Sequence, residues 1–301
     1  MNHHDSPNAP IDKQAARQSF NKAANTYDTA ATLQREVGQR LLDRMDIVRL
    51  APKIILDLGC GTGDLILRLS QSYKEARVIG LDFAEHMLGK ARTKLTWRQK
   101  LFGKRPGFIC GDAERLPLAD QSVDLIFSNL TLQWCNNLAV AFSEFRRVLK
   151  PGGLLMFSSL GPDTLKELRH SWRSIDNGQH VHRFIDMHDV GDALLGARLA
   201  DPVMDMEYFT LTFNDGFQLM RELKLLGAHN AAVERPHALT GKSHLRQMLQ
   251  AYERFRVDGK LPATYEIVYG HAWCPETQPL ESKTAKTVHV GFRDRLGHTG
   301  K

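Results

Sequence analysis

The feature that most constrains this chain is a glycine-rich turn with the sequence Asp57-Leu58-Gly59-Cys60-Gly61-Thr62-Gly63. An apolar run at 54–56 leads into it, and a helical pattern with leucines at 65, 67 and 69 follows. This order predicts a buried strand that ends in a tight turn and opens a helix. In an open parallel sheet, a nucleotide-like ligand binds at that place, against the strand ends. Glycines allow positive φ angles and let the backbone lie close to such a ligand.

Strands and helices alternate after residue 53, which predicts an α/β fold with a doubly wound, mostly parallel Rossmann-like sheet. Strand patterns at 208–213 and 264–273 are interpreted as an antiparallel addition to one edge, giving seven strands. Helical patterns at 13–50 and beyond residue 161 predict an N-terminal helical lid and C-terminal helical additions that cover the site. The five earlier strands are predicted at 54–58, 78–81, 107–110, 123–128 and 154–158.

The predicted organisation is a single domain over 13–275, with its core at 50–160 and substrate-covering additions at 13–50 and 161–260. Residues 1–12 and 276–301 are polar and are predicted to be disordered. The apolar content of 42% and charged content of 25% are typical of a globular protein. We find no apolar segment long enough for a bilayer and no signal-peptide core, so we expect a cytoplasmic protein without a membrane partner.

The cysteines, the net charge and the histidines indicate which compartment, partners and metal sites to expect. The four cysteines, at 60, 110, 135 and 274, form no C-x-x-C pair and are expected to be free thiols in a reducing compartment. The net charge of +6 is compatible with an acidic partner. No basic run is interleaved with aromatic residues, so no nucleic-acid partner is predicted. His180 and His182 have no matching cysteine or carboxylate set, so no metal site is predicted.

Polar residues also follow the next three predicted strands. Asp82 ends the second strand, where an acidic side chain can accept hydrogen bonds from both hydroxyls of a ribose. Asp112 follows the third strand, and with the adjacent backbone N–H, at Ala113, it suits the edge of an adenine. For both aspartates a solvated turn is the alternative. Asn129 stands at the end of the fourth strand and is expected to face the crevice.

The glycine turn resembles the first motif of class I S-adenosylmethionine methyltransferases. Its third glycine comes one residue earlier than in the dinucleotide fingerprint G-x-G-x-x-G, which argues against a dinucleotide. The turn at 147–153 resembles a later motif of the same enzymes. The resemblance implies S-adenosylmethionine as cofactor, whose ammonium, sulfonium and ribose groups favour nearby carboxylates. The cofactor-binding residues that we predict are Asp57, Gly59, Gly61, Gly63, Asp82, Phe83, Asp112, Ala113 and Asn129.

Four further segments resemble one family, the malonyl-[acyl-carrier protein] O-methyltransferases of biotin synthesis. They lie at 20–34, 128–135, 161–168 and 180–184, and the resemblance covers roughly residues 13 to 273. It implies transfer of a methyl group to the free carboxylate of a malonyl thioester. The extension after Trp273 has no part in this resemblance.

The residues suit this chemistry. A carboxylate is ionised at neutral pH, so the predicted role of Arg183 is to hold it with a bidentate guanidinium; a surface charge is the alternative. Tyr27, from the lid, is predicted to hydrogen-bond the cofactor carboxylate or the substrate. Gln133 and Trp134 are predicted to lie above the methyl group, although core packing would also explain Trp134. These four residues form the predicted catalytic set.

The resemblance also implies acyl carrier protein as an acidic partner, for which Arg146, Arg147, Arg169 and Arg173 are docking candidates. We expect a monomer. Two alternatives stay open: a methyltransferase for a quinone ring or a small acid, and a protein like the complex I assembly factors, which need not methylate or can modify arginine. The segments at 161–168 and 262–265 resemble that second group, whereas Arg183 favours the malonyl family.

Overall fold

A computed structural model describes residues 10–95, 105–235 and 241–276. Seven strands form one sheet in the order β3-β2-β1-β4-β5-β7-β6. The first five pair in parallel, β7 is antiparallel to β5, and β6 is antiparallel to β7. The predicted doubly wound sheet with an antiparallel edge is therefore confirmed. The strands are β1 Ile54–Leu58, β2 Arg77–Asp82, β3 Gly107–Cys110, β4 Val123–Ser128, β5 Leu149–Leu160, β6 Ala200–Phe213 and β7 Leu261–Trp273.

Helices lie on both faces of the sheet and at its carboxyl edge. The predicted helical stretch 13–50 is divided into three helices and a 3-10 turn, and the first of these helices forms a lid. The helices are α1 Lys13–Ala23, α2 Tyr27–Ala30, α3 Thr32–Asp43, α4 Asp64–Ser72, α5 Glu85–Lys94, α6 Leu138–Val148, α7 Lys166–Arg173, α8 Met187–Gly196, α9 Gly216–Leu225 and α10 Lys242–Tyr252. None of the helices in the described ranges is long and apolar enough to cross a membrane.

The sheet is buried on both faces at its centre because the central strands are mostly apolar. Successive side chains of a strand point to opposite faces. Ile55 and Leu125 therefore pack into one hydrophobic cluster, while Leu56 and Ile126 pack into the other. Helices cover both faces of such a sheet, so its carboxyl edge is where a ligand can approach.

Three sequence predictions need correction. Strand β5 begins at Leu149, five residues before the predicted start, so most of the turn predicted at 147–153 lies within it. Strand β6 begins at Ala200, eight residues before the predicted start, because it is an edge strand with half of its residues exposed and a register shift around Pro202. Proline is tolerated at such an edge or bulge. Disorder was predicted for 1–12, yet Ile11 is buried and pairs with Ala232, and Asp12 caps α1 by accepting from Ala15 N at 2.9 Å. Residues 1–9 and 277–301, also predicted to be disordered, lie outside the described residues.

Candidate active site

The glycine turn between β1 and α4 adopts backbone angles that require glycine. The φ angles of Gly59 and Gly61 are +72° and +51°. A Cβ on Gly59 would lie 1.9 Å from Thr131 Oγ1, whereas a Cβ on Gly61 would meet no protein atom within 4 Å. The backbone at Gly61 therefore faces an open cleft. At Gly63, with φ +81°, a Cβ would lie 2.8 Å from the Cβ of Ala91, so this glycine lets the turn pack against α5.

Asp82 ties the end of β2 to the glycine turn. Its Oδ2 accepts a hydrogen bond from Gly61 N at 2.9 Å and its Oδ1 accepts from Ala84 N at 2.8 Å. Burial raises the pKa of Asp82 to about 6, although the backbone N–H groups of Ala84, Gly61 and Phe83 oppose the shift. Asp82 lines the cleft and offers it a carboxylate.

Asp57 lies beneath the same turn and is only 1% exposed. Neither of its carboxylate oxygens has a hydrogen-bond donor among the described residues. Burial, followed by the charges of Asp82 and Asp64, raises the pKa of Asp57 to about 8. Asp57 is not among the residues that line the cleft, and its predicted role in cofactor binding stays a prediction.

Helix α1 closes the cleft from above, as predicted for the lid. Lys13 Nζ lies 2.6 Å from Asp112 Oδ2 and also pairs with Glu114. Farther along the helix, the ring of Phe20 meets Phe83 and Trp134 edge-on, with centroids 5.7 and 5.0 Å apart. An ion pair and an aromatic cluster thus hold the lid over the third and fourth strand ends.

Seven of the nine predicted cofactor residues line this cleft. Asp57 and Gly63, the first and last residues of the glycine turn, are not among its lining residues. The structure adds residues that sequence reasoning missed, chiefly Lys13, Leu130 and Thr131. A lysine in an amphipathic helix carries no local pattern that would distinguish it. The seven that line the cleft are Gly59, Gly61, Asp82, Phe83, Asp112, Ala113 and Asn129.

Asn129 has a partner within the protein at each end of its amide. Its Nδ2 donates to Gln34 O at 2.9 Å, and its Oδ1 accepts from Ser158 Oγ at 2.7 Å. The side chain therefore joins β4 to α3 and β5. Its position at the cleft agrees with the prediction, and its hydrogen bonds indicate a structural contribution.

A second, larger cavity of about 530 Å³ opens beside the cleft. It is bounded mainly by apolar side chains of the lid, α7, α9 and the segment after β4. Tyr27 and Trp134 line both spaces, together with Phe20 and Leu130, so the cleft and the cavity meet there. Gln133 lines the large cavity: its Nε2 donates to Leu130 O at 2.6 Å, while its buried Oε1 has no partner among the described residues.

Two titratable side chains, one at this junction and one in the wall of the large cavity, stay neutral near pH 7. Burial, and then the charges of Asp82 and Asp28, raises the pKa of Tyr27 above its ordinary value, so the phenol keeps its proton. In the wall of the cavity, burial and the charge of Arg169 lower the pKa of His182 to about 4. Both side chains can donate hydrogen bonds to a substrate without carrying charge.

A third cavity, of about 230 Å³, lies on the outer side of α7 and is lined by Arg169, Arg173 and Arg183. It shares Trp172, His180 and Val181 with the large cavity and no residue with the cleft.

Arg183 is exposed in this outer wall and does not line the junction. The structure thus separates Arg183 from the other predicted catalytic residues, because the loop around His180 directs successive residues to different cavities. Among the docking candidates, Arg147 is instead engaged by Glu144 and Asp120, at 2.8 and 2.7 Å.

The cleft suits S-adenosylmethionine by the chemistry of its walls. Gly61 leaves room for a ligand against the backbone, and Asp82 offers acceptor oxygens to a diol. Asp112, at the other side, lines the cleft with a carboxylate that is paired with Lys13. A cleft of this kind that meets a mainly apolar cavity can bring a methyl donor and an acceptor together.

Comparisons with known proteins agree with this chemistry. The model of a methyltransferase domain family matches residues 56–157. Among solved structures, the YcgJ protein of Bacillus subtilis has a TM-score of 0.55 at 17% identity, over 79% of this chain and 98% of its own. Phosphoethanolamine N-methyltransferase 2 of Haemonchus contortus, solved with S-adenosyl-L-methionine, also has a TM-score of 0.55 at 17% identity, over 85% of this chain and 57% of its own. These likenesses show the fold.

Relatives of higher identity define the family. A malonyl-[acyl-carrier protein] O-methyltransferase of a Methylovorus species is 55% identical over 89% of this chain and 91% of its own length. One of Gallionella capsiferriformans is 52% identical over 88% of this chain and 92% of its own. Each match spans nearly nine-tenths of this chain. The chain therefore belongs to the malonyl-[acyl-carrier protein] O-methyltransferase family.

Proposed function

We propose that this protein transfers the methyl group of S-adenosylmethionine to the free carboxylate of a malonyl thioester carried by acyl carrier protein. The product is the methyl ester that primes pimeloyl and biotin synthesis, since masking the charge lets fatty-acid synthesis elongate the chain. The names of the relatives at 52–55% identity support the substrate.

One observation carries the proposal: the cleft with the glycine turn and the large cavity share Phe20, Tyr27, Leu130 and Trp134. A donor in the cleft and an acyl group in the cavity would meet at these side chains. The lid covers this junction through Phe20, which packs on Trp134.

The reaction asks for positioning more than for acid–base catalysis. S-adenosylmethionine, when bound, supplies a methyl group activated by its sulfonium. The substrate carboxylate is already ionised, so no general base is needed: its oxygen forms the bond to the methyl carbon as the S–CH₃ bond breaks. Holding reactants in line can contribute about 7–11 kcal/mol to lowering the barrier.

We assign the positioning to three residues at or beside the junction. Tyr27, whose raised pKa keeps it protonated, donates a hydrogen bond to the substrate or to the cofactor carboxylate. Gln133 offers its unpartnered Oε1 to an amide N–H of the phosphopantetheine arm that joins the malonyl thioester to the carrier protein. Trp134 excludes water beside Phe20. The role of Arg183 as carboxylate ligand stays a prediction, and its place in the outer wall gives it another candidate ligand.

We also propose that the protein acts as a monomer in the cytoplasm. Four free cysteines, three of them buried, fit a reducing compartment. The acidic surface of a carrier protein would complement the net charge of +6.

Incubation with radiolabelled S-adenosylmethionine and malonyl-, succinyl- or acetyl-acyl carrier protein tests the function. We expect a labelled methyl ester on the malonyl form, and none on the acetyl form, which lacks a free carboxylate. Tight cofactor binding without transfer to any of the three would contradict the proposal and favour a non-methylating protein. Labelling of the succinyl form at an equal rate would contradict the malonyl specificity.

A further inference from the structure

The outer cavity contains hydrogen-bond donors that have no partner in the part of the chain that the structure describes. Arg169 is fixed by two backbone carbonyls: its Nη1 donates to Pro162 O and its Nη2 to Thr164 O, both at 2.7 Å. Its buried Nε has no partner among the described residues, and neither has the buried Nε2 of Gln179 in the same wall. A guanidinium held in this way keeps one N–H in a fixed direction.

The cavity also gathers positive charge. Exposed Arg173 and Arg183 line it together with Arg169. Burial, and then the charge of Arg173, lowers the pKa of Arg169; the charge of Asp163 opposes this shift, and that of Arg183 adds to it by less. Like charges that line one cavity repel one another, and an anion placed among them would reduce the repulsion.

Three carboxylates on the neighbouring segments have hydrogen-bond or ion-pair partners of their own. Asp176 accepts from His180 Nε2 and from Gly178 N, both at 2.8 Å. Glu167 is bonded to Thr264 N at 3.0 Å and to its hydroxyl. Asp163 pairs with Lys166 at 3.1 Å. None of these three carboxylates lines the cavity, so the Nε of Arg169 is left for an anion from outside the chain.

The location of the arginine cavity indicates which anion it would bind. The cavity shares the wall Trp172–His180–Val181 with the large cavity but no residue with the cofactor cleft, so it lies away from the junction where methyl transfer would occur. A carrier-bound acyl thioester hangs from a phosphopantetheine arm, whose phosphate is at the end remote from the thioester. Arginine forks match phosphate oxygens in a bidentate manner.

We propose that Arg169, Arg173 and Arg183 bind the phosphate of the phosphopantetheine arm while the rest of the arm lies in the large cavity. This assignment rests on the proposed function. It also accounts for the segment at 161–168, whose backbone carbonyls orient Arg169 and whose Glu167 is tied to β7.

Two small substrates test it without the surface of the carrier protein: malonyl-4′-phosphopantetheine and malonyl-pantetheine, which lacks the phosphate. We expect the wild-type KM to be at least about 10-fold lower for the phosphorylated compound, as hydrogen bonds between charged groups predict. In the double variant Arg173→Ala/Arg183→Ala this ratio should fall to about 1. Arg49→Ala removes an exposed arginine near the amino end of β1 and should leave the ratio unchanged.

A double variant that keeps the wild-type ratio would overturn the proposal, including the case in which both KM values rise equally. An equal rise in both KM values would instead support Arg183 as the ligand of the substrate carboxylate. Binding of 4′-phosphopantetheine against pantetheine, measured by calorimetry, gives the same comparison without turnover. A failure of methyl transfer would therefore count against the proposed function, whereas a missing preference for the phosphate counts against this site. Unchanged affinity for S-adenosylmethionine shows that the variant is folded.

Discussion

Asp57 gives the sharpest test of the electrostatics under the glycine turn. Its carboxyl group is 1% exposed, has no donor among the described residues and has a pKa raised to about 8 from an ordinary value of 3.8. Between these two values the unfolded chain has released the proton and the folded chain retains it. Unfolding then releases one proton, so the free energy of unfolding falls as pH rises, by about 1.4 kcal/mol per pH unit from this group.

We expect Asp57→Asn to remove that dependence. Urea unfolding of both proteins without cofactor, at pH 5, 6 and 7, should show the wild type losing about 3 kcal/mol relative to the variant over the two units. An amide that lacks partners costs a constant amount at every pH, so only the difference in slope is diagnostic. Parallel curves for the two proteins would refute the raised pKa and with it the buried, donor-free position of the carboxylate.

Three other predictions concern the cleft. Gly61→Ala should cost about 1–2 kcal/mol of stability for its positive φ and abolish cofactor binding, while Gly59→Ala should cost more stability because its Cβ would overlap Thr131 Oγ1; urea unfolding and calorimetric titration check both. Lys13→Ala should speed the dissociation of S-adenosylmethionine in stopped-flow experiments, and an unchanged rate would show that the lid does not control exit. Cofactor affinity should increase as pH rises through about 6, where Asp82 ionises, and Asp82→Asn should flatten that profile; an unchanged profile would exclude Asp82 as the titrating group.

Much of the fold was predictable because local patterns and topology agreed. Strand β1 and helix α4 have the bounds expected from the apolar runs on either side of the glycine turn. The start of β6 was not predictable, since it lies at an exposed sheet edge with aspartates and a proline, and its pairing with β7 decides its length. Local composition carries little information where distant hydrogen bonds form a strand.

The residues of the site were also predictable only in part. Residues at the ends of parallel strands, such as Asp82 and Asp112, reach the cleft because the topology brings those ends together. Lys13 was missed because its partners, Asp112 and Glu114, lie about a hundred residues away and no periodicity connects them. Arg183 was identified as chemically important, but its cavity depends on the path of a loop, which the sequence alone does not define.

The separation of the cleft from the arginine cavity has a consequence for binding order. We expect cofactor exchange to require opening of the ion pair between Lys13 and Asp112, because both residues line the cleft. The arginine cavity is on the other side of Trp172 and His180, and none of its lining residues belongs to α1. We therefore expect Lys13→Ala to alter cofactor release and to leave the preference for a phosphorylated arm unchanged. The double arginine variant should do the reverse, because the cleft and the arginine cavity share no lining residue.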